Sequence, residues 1–179
     1  AAVEIRDRPD LIGKAVAVGG SAKRRGVIAT ANYEARVFGV HSALSAAIAI
    51  KRCPDLVIIS GNMTKYKEAS TKVFKIFKKY THIIEAISLD EAFLDVSDCP
   101  LHHGSGTLIA QAIKDDIYST TGLKASAGVA PNKFLAKIAS DWMKPDGLYT
   151  IPPQNIEKFV KQLPVKKIWG VGRETLREL

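Results

Sequence analysis

Three features of the 179-residue chain predict an α+β fold. Short apolar runs closed by glycine, proline or asparagine have the pattern of strands. Longer stretches repeat apolar residues at i, i+3, i+4 and i+7, the pattern of amphipathic helices. One pair of strands is separated by so few residues that it must be antiparallel, which argues against a doubly wound parallel sheet. This pair is Ile84-Glu85-Ala86-Ile87-Ser88-Leu89-Asp90-Glu91-Ala92-Phe93-Leu94-Asp95-Val96. No internal repeat or low-complexity segment is present.

The elements follow in order. Residues 1–5 read as a helix already under way, because no capping residue precedes them. The chain opens without Met, so residues ahead of Ala1 are expected to be missing. Residues 15–19 form a strand closed by Gly19-Gly20, and the basic cluster Lys23-Arg24-Arg25 leads into a second strand at 27–30. A short helix from Asn32 carries Tyr33 and Arg36 and stops near Gly39. Ser42 is expected to cap a helix that runs to about Arg52 and is ended by Pro54; residues 56–59 are a buried strand. The clearest helix is 62–80, with Tyr66, Ala69, Val73, Ile76, Phe77 and Tyr80 on one face and lysines opposite. After the acidic hairpin, Ser105 caps a helix whose stripe is Leu108, Ile109, Ala112, Ile113 and Ile117. A strand at 124–130, a helix opened by Pro131-Asn132 and ending near Trp142, and the turn Lys144-Pro145-Asp146-Gly147 come next. A strand at 148–151, a helix at 153–162 and a tail of Ile168-Trp169-Gly170-Val171-Gly172 leading into a further helix complete the chain.

The formal net charge of +8 favours a polyanionic partner, nucleic acid above all. No long basic amphipathic helix points to a membrane surface, and the longest uncharged apolar stretch, residues 43–50, is far too short to span a bilayer. Cys53 and Cys99 lie far apart and form no Cys-x-x-Cys unit, as expected of structural thiols in a reducing compartment. Cys99, His102 and His103 lack a second ligand pair at zinc-site spacing and read as a polar loop.

Asp90 and Glu91 fall at the tip of the hairpin. Neighbouring strand residues point to opposite faces, so the two acids can address one ion only if the backbone turns there. With such a turn they suit a hard divalent cation such as Mg²⁺, which takes oxygen ligands and leaves positions open for phosphate. Two solvated acids at a polar tip fit the same pattern. Arg36, Lys137 and Lys144 are the candidate cations for a phosphate group. Tyr33 and Arg36, three apart, share a helical face and can form a clamp, or can simply pack and solvate. Lys133, Lys137 and Asp141 line one face of a helix, an arrangement that usually faces water. The Gly170-Val171-Gly172 turn, approached by Lys166 and Lys167 and followed by Arg173, resembles the hairpin of a helix-hairpin-helix element, where backbone amides contact a phosphate without reading sequence.

Four segments together resemble the Y family of lesion-bypass DNA polymerases, in its DinB branch. They are Thr30-Ala31-Asn32-Tyr33-Glu34-Ala35-Arg36, Ser88-Leu89-Asp90-Glu91-Ala92-Phe93-Leu94-Asp95, Ala127-Gly128-Val129-Ala130-Pro131-Asn132-Lys133-Phe134-Leu135-Ala136-Lys137 and Lys144-Pro145-Asp146-Gly147, in family order with the hairpin motif at the correct end. The resemblance covers essentially the whole chain. It implies a right-hand polymerase core: fingers over 1–60, a palm with a mixed or antiparallel sheet over 61–150, and the start of a helical thumb over 151–179. It implies that Asp90 and Glu91 are catalytic metal ligands and that Thr30, Tyr33, Arg36 and Lys144 hold the incoming triphosphate. Gly170, Gly172 and Arg173 become DNA contacts. Ser42 and Ala43 fall where the fingers cover the nascent base pair, and small residues there suit a permissive site. The implied reaction is DNA synthesis past lesions, with two Mg²⁺ ions, a dNTP and primer–template DNA. The implied location is the cytoplasm, at the nucleoid.

The chain departs from the family pattern in three ways. The family's opening strand, with an Asp-x-Asp-x-Phe/Tyr segment that supplies a third metal-binding acid, would lie ahead of Ala1; Asp7 and Asp10 match later positions and do not replace it. The little-finger domain that grips DNA and binds the sliding clamp would lie beyond Leu179. Ser45 and Trp169 stand where proline is frequent. The chain as it stands is therefore expected to be inactive or nearly so. Two other readings remain at this point: a non-enzymatic DNA-binding module and, more distantly, a Mg²⁺-dependent nucleotidyl cyclase. The cyclase explains neither the Tyr33/Arg36 segment nor the hairpin motif.

Overall fold

The computed structural model describes residues 1–178. Its elements are α1 (Ala2–Asp7), β1 (Val16–Gly19), β2 (Ile28–Ala31), α2 (Tyr33–Arg36), α3 (Ala46–Arg52), β3 (Val57–Ile59), α4 (Met63–Phe77), β4 (Ile84–Ala86), β5 (Ala92–Leu94), α5 (Gly106–Thr121), β6 (Ala127–Val129), α6 (Lys133–Trp142), β7 (Leu148–Thr150), α7 (Ile156–Lys161) and α8 (Arg173–Glu178), joined by short 3₁₀ turns. This is the mixed α+β order expected. The chain divides into two compact units, Ala1–Ala69 and the residues from Ser70 onward.

In the first unit β1 is central, antiparallel to β2 and parallel to β3. The core against this sheet is built of Ala17, Ala31, Ala35, Ala46 and Ala49 around Ile28, Val40 and Leu56. Alanine at the contacts lets short helices sit close to the strands while still excluding water. Helix α1 is held by a buried acid. Glu4 accepts a hydrogen bond from the Tyr66 hydroxyl at 2.8 Å and from Lys65 Nζ at 3.3 Å. Lys65 also reaches Asp7 at 3.2 Å, so one ammonium serves both acids, and the buried Glu4 is paired and hydrogen-bonded as a buried charge must be. Helix α3 begins later than the sequence suggests. Ser42 is not its cap; Ser45 precedes its first turn without a side-chain capping bond. The reason is competition for backbone donors: Ala43 N–H bonds Ile28 O and Ala46 N–H bonds Gly26 O, both at 2.8 Å, so residues 43–46 pair with the β2 segment before a helix can start.

In the second unit β4 and β5 form the antiparallel hairpin, and β6 and β7 are parallel neighbours. Helix α6 makes the crossover between them, the connection that parallel strands require. Ser105 Oγ caps α5 by accepting from Leu108 N–H at 3.4 Å, and Gly122, at φ 67°, ends it. The buried stripe of α5 is Ile109, Ile113 and Ile117, which pack with Ile76 and Cys99; Leu108 is exposed, one position off the i, i+4, i+8 row. A second cluster joins Leu135 and Ala139 of α6 to Ile151. The rings of Trp142, Tyr149 and Phe159 lie 5.0–6.1 Å apart beside it. The strands expected at 124–130 and 148–151 are three residues each, and the helix expected over 153–162 is a 3₁₀ turn followed by α7. Among the described residues no helix is long and apolar enough to cross a membrane.

Candidate active site

The hairpin register pairs Ile84 with Leu94, Glu85 with Phe93 and Ala86 with Ala92. The chain then leaves strand geometry. Glu91 O accepts from Ile87 N–H at 2.9 Å and from Ser88 N–H at 3.2 Å, closing a loop with Asp90 inside it. This supplies the turn that adjacent acids need to escape opposite faces. Ser88 fixes the loop from within: its hydroxyl donates to Asp90 Oδ1 at 2.7 Å and accepts from Asp90 N–H at 3.3 Å.

Glu91 is held from another element. Lys137 Nζ donates to Glu91 Oε1 at 2.7 Å. One turn earlier on α6, Lys133 pairs with Glu85 and lies 6.0 Å from the centre of the Phe93 ring. The basic face of α6 thus meets the hairpin at two points, an exposed pair at Lys133 and a largely buried lysine at Lys137. Asn32 and Asn132 had similar opening roles in the sequence, and both cap: Asn132 Oδ1 accepts from Leu135 N–H at 2.9 Å and sets where α6 starts.

Lys144 pairs with Asp141 at 2.5 Å, three residues back. The turn it opens is anchored by Asp146, in left-handed conformation at φ 56°. Lys114 reaches both the backbone oxygen and the carboxylate of Asp146, and Lys124 reaches the carboxylate from the other side. Desolvation by itself would raise the Asp146 carboxyl, but the hydrogen bonds and charges of the two lysines outweigh it and hold it below the usual carboxylate value.

Within the first unit, Asn32 ties α2 to the sheet. Its Oδ1 accepts from Val16 N–H at 2.8 Å and from Ala35 N–H at 3.1 Å, and its Nδ2 donates to Lys14 O at 2.7 Å. Tyr33 and Arg36 then project together, the guanidinium 5.9 Å from the ring centre. Arg36 Nε donates to Ala31 O at 3.0 Å. That bond fixes the fork, and among the described residues its terminal amino groups make no hydrogen bond. Thr30 is half-buried on β2 opposite Val18.

In the tail, Gly170 takes φ 93° and Val171 N–H bonds Ile168 O at 3.1 Å, which makes the tight turn before α8. A Cβ at Gly172 would meet nothing within 4 Å. The Arg173 side chain lies outside the described residues. Trp169 turns back to the hairpin, its ring edge-on to Phe93 at 6.2 Å.

Among the described residues no three acidic, histidine or cysteine side chains come together. The tip nevertheless fits Mg²⁺. That ion is usually bound by one or two carboxylates, with water and substrate phosphates completing the shell. Among the described residues, Asp90 Oδ2 and Glu91 Oε2 accept no hydrogen bond, so each acid keeps one hard oxygen for a cation. Sequence reasoning missed Ser88, whose signal is its place two residues before Asp90, and Lys114, which lies 32 residues from its partner and has no local signal.

Comparison with known proteins identifies the family. The profile of the impB/mucB/samB family matches residues 1–141, and that of the IMS family HHH motif matches residues 153–179. DNA polymerase IV of Shewanella loihica is 59% identical over all of this chain, which covers 50% of that relative. DNA polymerase IV of Ralstonia nicotianae is 53% identical, with the same coverage. Among solved structures, DinB from Sulfolobus solfataricus superposes with a TM-score of 0.92 at 34% identity, over 99% of this chain and 52% of that one. An insertion ternary complex of Dbh DNA polymerase superposes with a TM-score of 0.90 at 34% identity, over 99% of this chain and 53% of that one. The chain spans about half the length of the curated relatives it matches. On the match over residues 1–141, the chain belongs to the impB/mucB/samB family.

Proposed function

We propose that the whole protein is a DNA-directed DNA polymerase of the lesion-bypass class. The observation that carries this reading is the Asp90–Glu91 turn, held by Ser88 from within and by Lys137 from α6, in a chain of this family. In the proposed reaction the primer 3′-oxygen bonds to the α-phosphorus of a dNTP, the bond to the β,γ-pyrophosphate breaks, and the hydroxyl proton passes to solvent. Mg²⁺ ions, when bound, stabilise the attacking and leaving oxygens. Asp90 and Glu91 hold the metal. Tyr33, Arg36 and Lys144 bind the triphosphate, with Thr30 near the same phosphates. Residues 1–60 act as fingers, 61–150 as palm and 151–179 as the start of the thumb.

The partners are primer–template DNA and dNTP in the cytoplasm at the nucleoid. A sliding clamp follows from the family likeness, with no residue of this chain assigned to it. Gly170, Gly172 and Arg173 meet the DNA backbone, and Gly172 separates this contact from folding. Because a Cβ there meets open space, Gly172→Ala should leave thermal stability unchanged. If the backbone at Gly172 closes on a phosphate, the same change should weaken DNA binding by about 1.5–3 kcal/mol, the scale of one charge-assisted hydrogen bond. Unchanged affinity in a salt titration would remove the tail from the DNA contact.

The polymerase reading is tested against a plain DNA-binding module by nucleotide binding. A fluorescent dNTP should bind in a Mg²⁺-dependent way. Arg36→Ala should weaken that binding roughly 10–150-fold, since a hydrogen bond to a charged group contributes roughly 1.5–3 kcal/mol. DNA binding with no dNTP binding at any Mg²⁺ concentration would favour the module.

A further inference from the structure

We infer that Lys137 is the resident counter-cation of Glu91 and makes divalent-metal loading of the hairpin tip depend on the arrival of a polyphosphate. The inference rests on the metal-site reading above. The Lys137 side chain is only 12% exposed, and its ammonium donates to Glu91 Oε1 at 2.7 Å. Its position is not free to drift. Leu135, Ile138 and Ala139 bury the inner face of α6, and the backbone of residues 136–140 lies directly against Gly128 of β6. An ammonium this far from water needs an anion, and among the described residues Glu91 is the one it has.

The consequence is electrostatic. A divalent cation that shares Glu91 with the ammonium meets a like charge in a partly desolvated place, where repulsion is weakly screened. The bare ion is therefore disfavoured. A polyphosphate reverses the sign, because its oxygens neutralise both cations. By linkage, whatever tightens the metal when nucleotide binds tightens nucleotide equally when metal binds. The neighbouring pair, Lys133 with Glu85, cannot do this, because its side chains are 61% and 58% exposed and salt screens them.

A merely orienting role for Lys137 predicts the opposite sign: without it, Glu91 would wander and the metal would bind more weakly. The test is Mn²⁺ binding to the whole protein, read from the electron paramagnetic resonance signal of the free ion, with and without dNTP. Lys137→Met should bind Mn²⁺ about tenfold more tightly without nucleotide, inside the ~5–150-fold range of ordinary site coupling, and the further tightening by dNTP should shrink in step. Lys137→Gln, which removes the charge but keeps a donor for Glu91, should behave like Lys137→Met and serves if the latter does not fold. Lys137→Arg and Lys133→Met should stay within twofold of the unchanged protein. Equal or weaker Mn²⁺ binding in the two neutral variants overturns the inference while leaving the metal site standing. If the unchanged protein binds no Mn²⁺ even with dNTP, or binds it equally well with Asp90→Asn, the metal-site reading falls and the inference falls with it.

Discussion

Asp90→Asn is expected to lower the single-turnover rate of primer extension by the whole protein about 10²–10³-fold, the effect of removing one preorganised group that stabilises developing charge. The substitution is chosen so that little else changes. Asp90 is exposed, and an asparagine carbonyl can still accept the Ser88 hydroxyl, so the loop keeps its closing bonds. What disappears is one negative charge and one hard oxygen for the metal. DNA affinity should stay within about twofold, because an uncharged side chain at the tip touches no phosphate in this account. A rate within threefold of the unchanged protein would mean that the metal, if there is one, is held elsewhere.

Gly128→Ala should be strongly destabilising for so small a substitution. Gly128 is the middle residue of β6, under α6. A Cβ built there lies 2.2 Å from Ala136 O, 2.3 Å from Ser140 N and 2.8 Å from Ala139 C. All three are backbone atoms, so no rotamer change relieves the clash and the helix must lift from the strand. Overpacking of this kind costs about 1–3 kcal/mol or somewhat more, and the rigid partners put this case near 3. For a chain of this size, that corresponds to a fall in Tm of roughly 6–12 °C, measurable by calorimetry. A Tm within 2 °C would show that α6 does not pack as described. Activity should fall too, since the helix that lifts is the one carrying Lys137.

Local features were legible in the sequence wherever the physics is local. Ser105 was readable as a cap, and Asn32 and Asn132 as helix starts, because a cap needs only a residue type and the next three amides. The hairpin was readable from two short apolar runs and an acidic tip. Two misreadings have the same origin. Ser42 has the chemistry of a cap, but the amides that follow it are taken by Gly26 and Ile28, a partnership decided by the sheet. Leu108 has the hydrophobicity of a core residue, but helix α5 rolls so that Ile109, Ile113 and Ile117 face inward. The site followed the same rule. Asp90, Glu91, Tyr33 and Arg36 stand out as local pairs. The partner of Glu91 lies 46 residues away and that of Asp146 lies 32 away, so Lys137, legible only as a candidate phosphate cation, and Lys114, with no local signal, meet their carboxylates only when the fold brings them in.

Anomalous diffraction can show whether Asp90 and Glu91 form the metal centre of a polymerase. Crystals of the whole protein would be grown with primer–template DNA ending in a dideoxynucleotide, the matching dNTP and Mn²⁺. The account predicts an anomalous peak within ligand distance of Asp90 and Glu91 oxygens and of the triphosphate, with Tyr33, Arg36 and Lys144 on the phosphates. A peak bound by other side chains, or a bound dNTP with Asp90 and Glu91 turned away from it, would contradict the account.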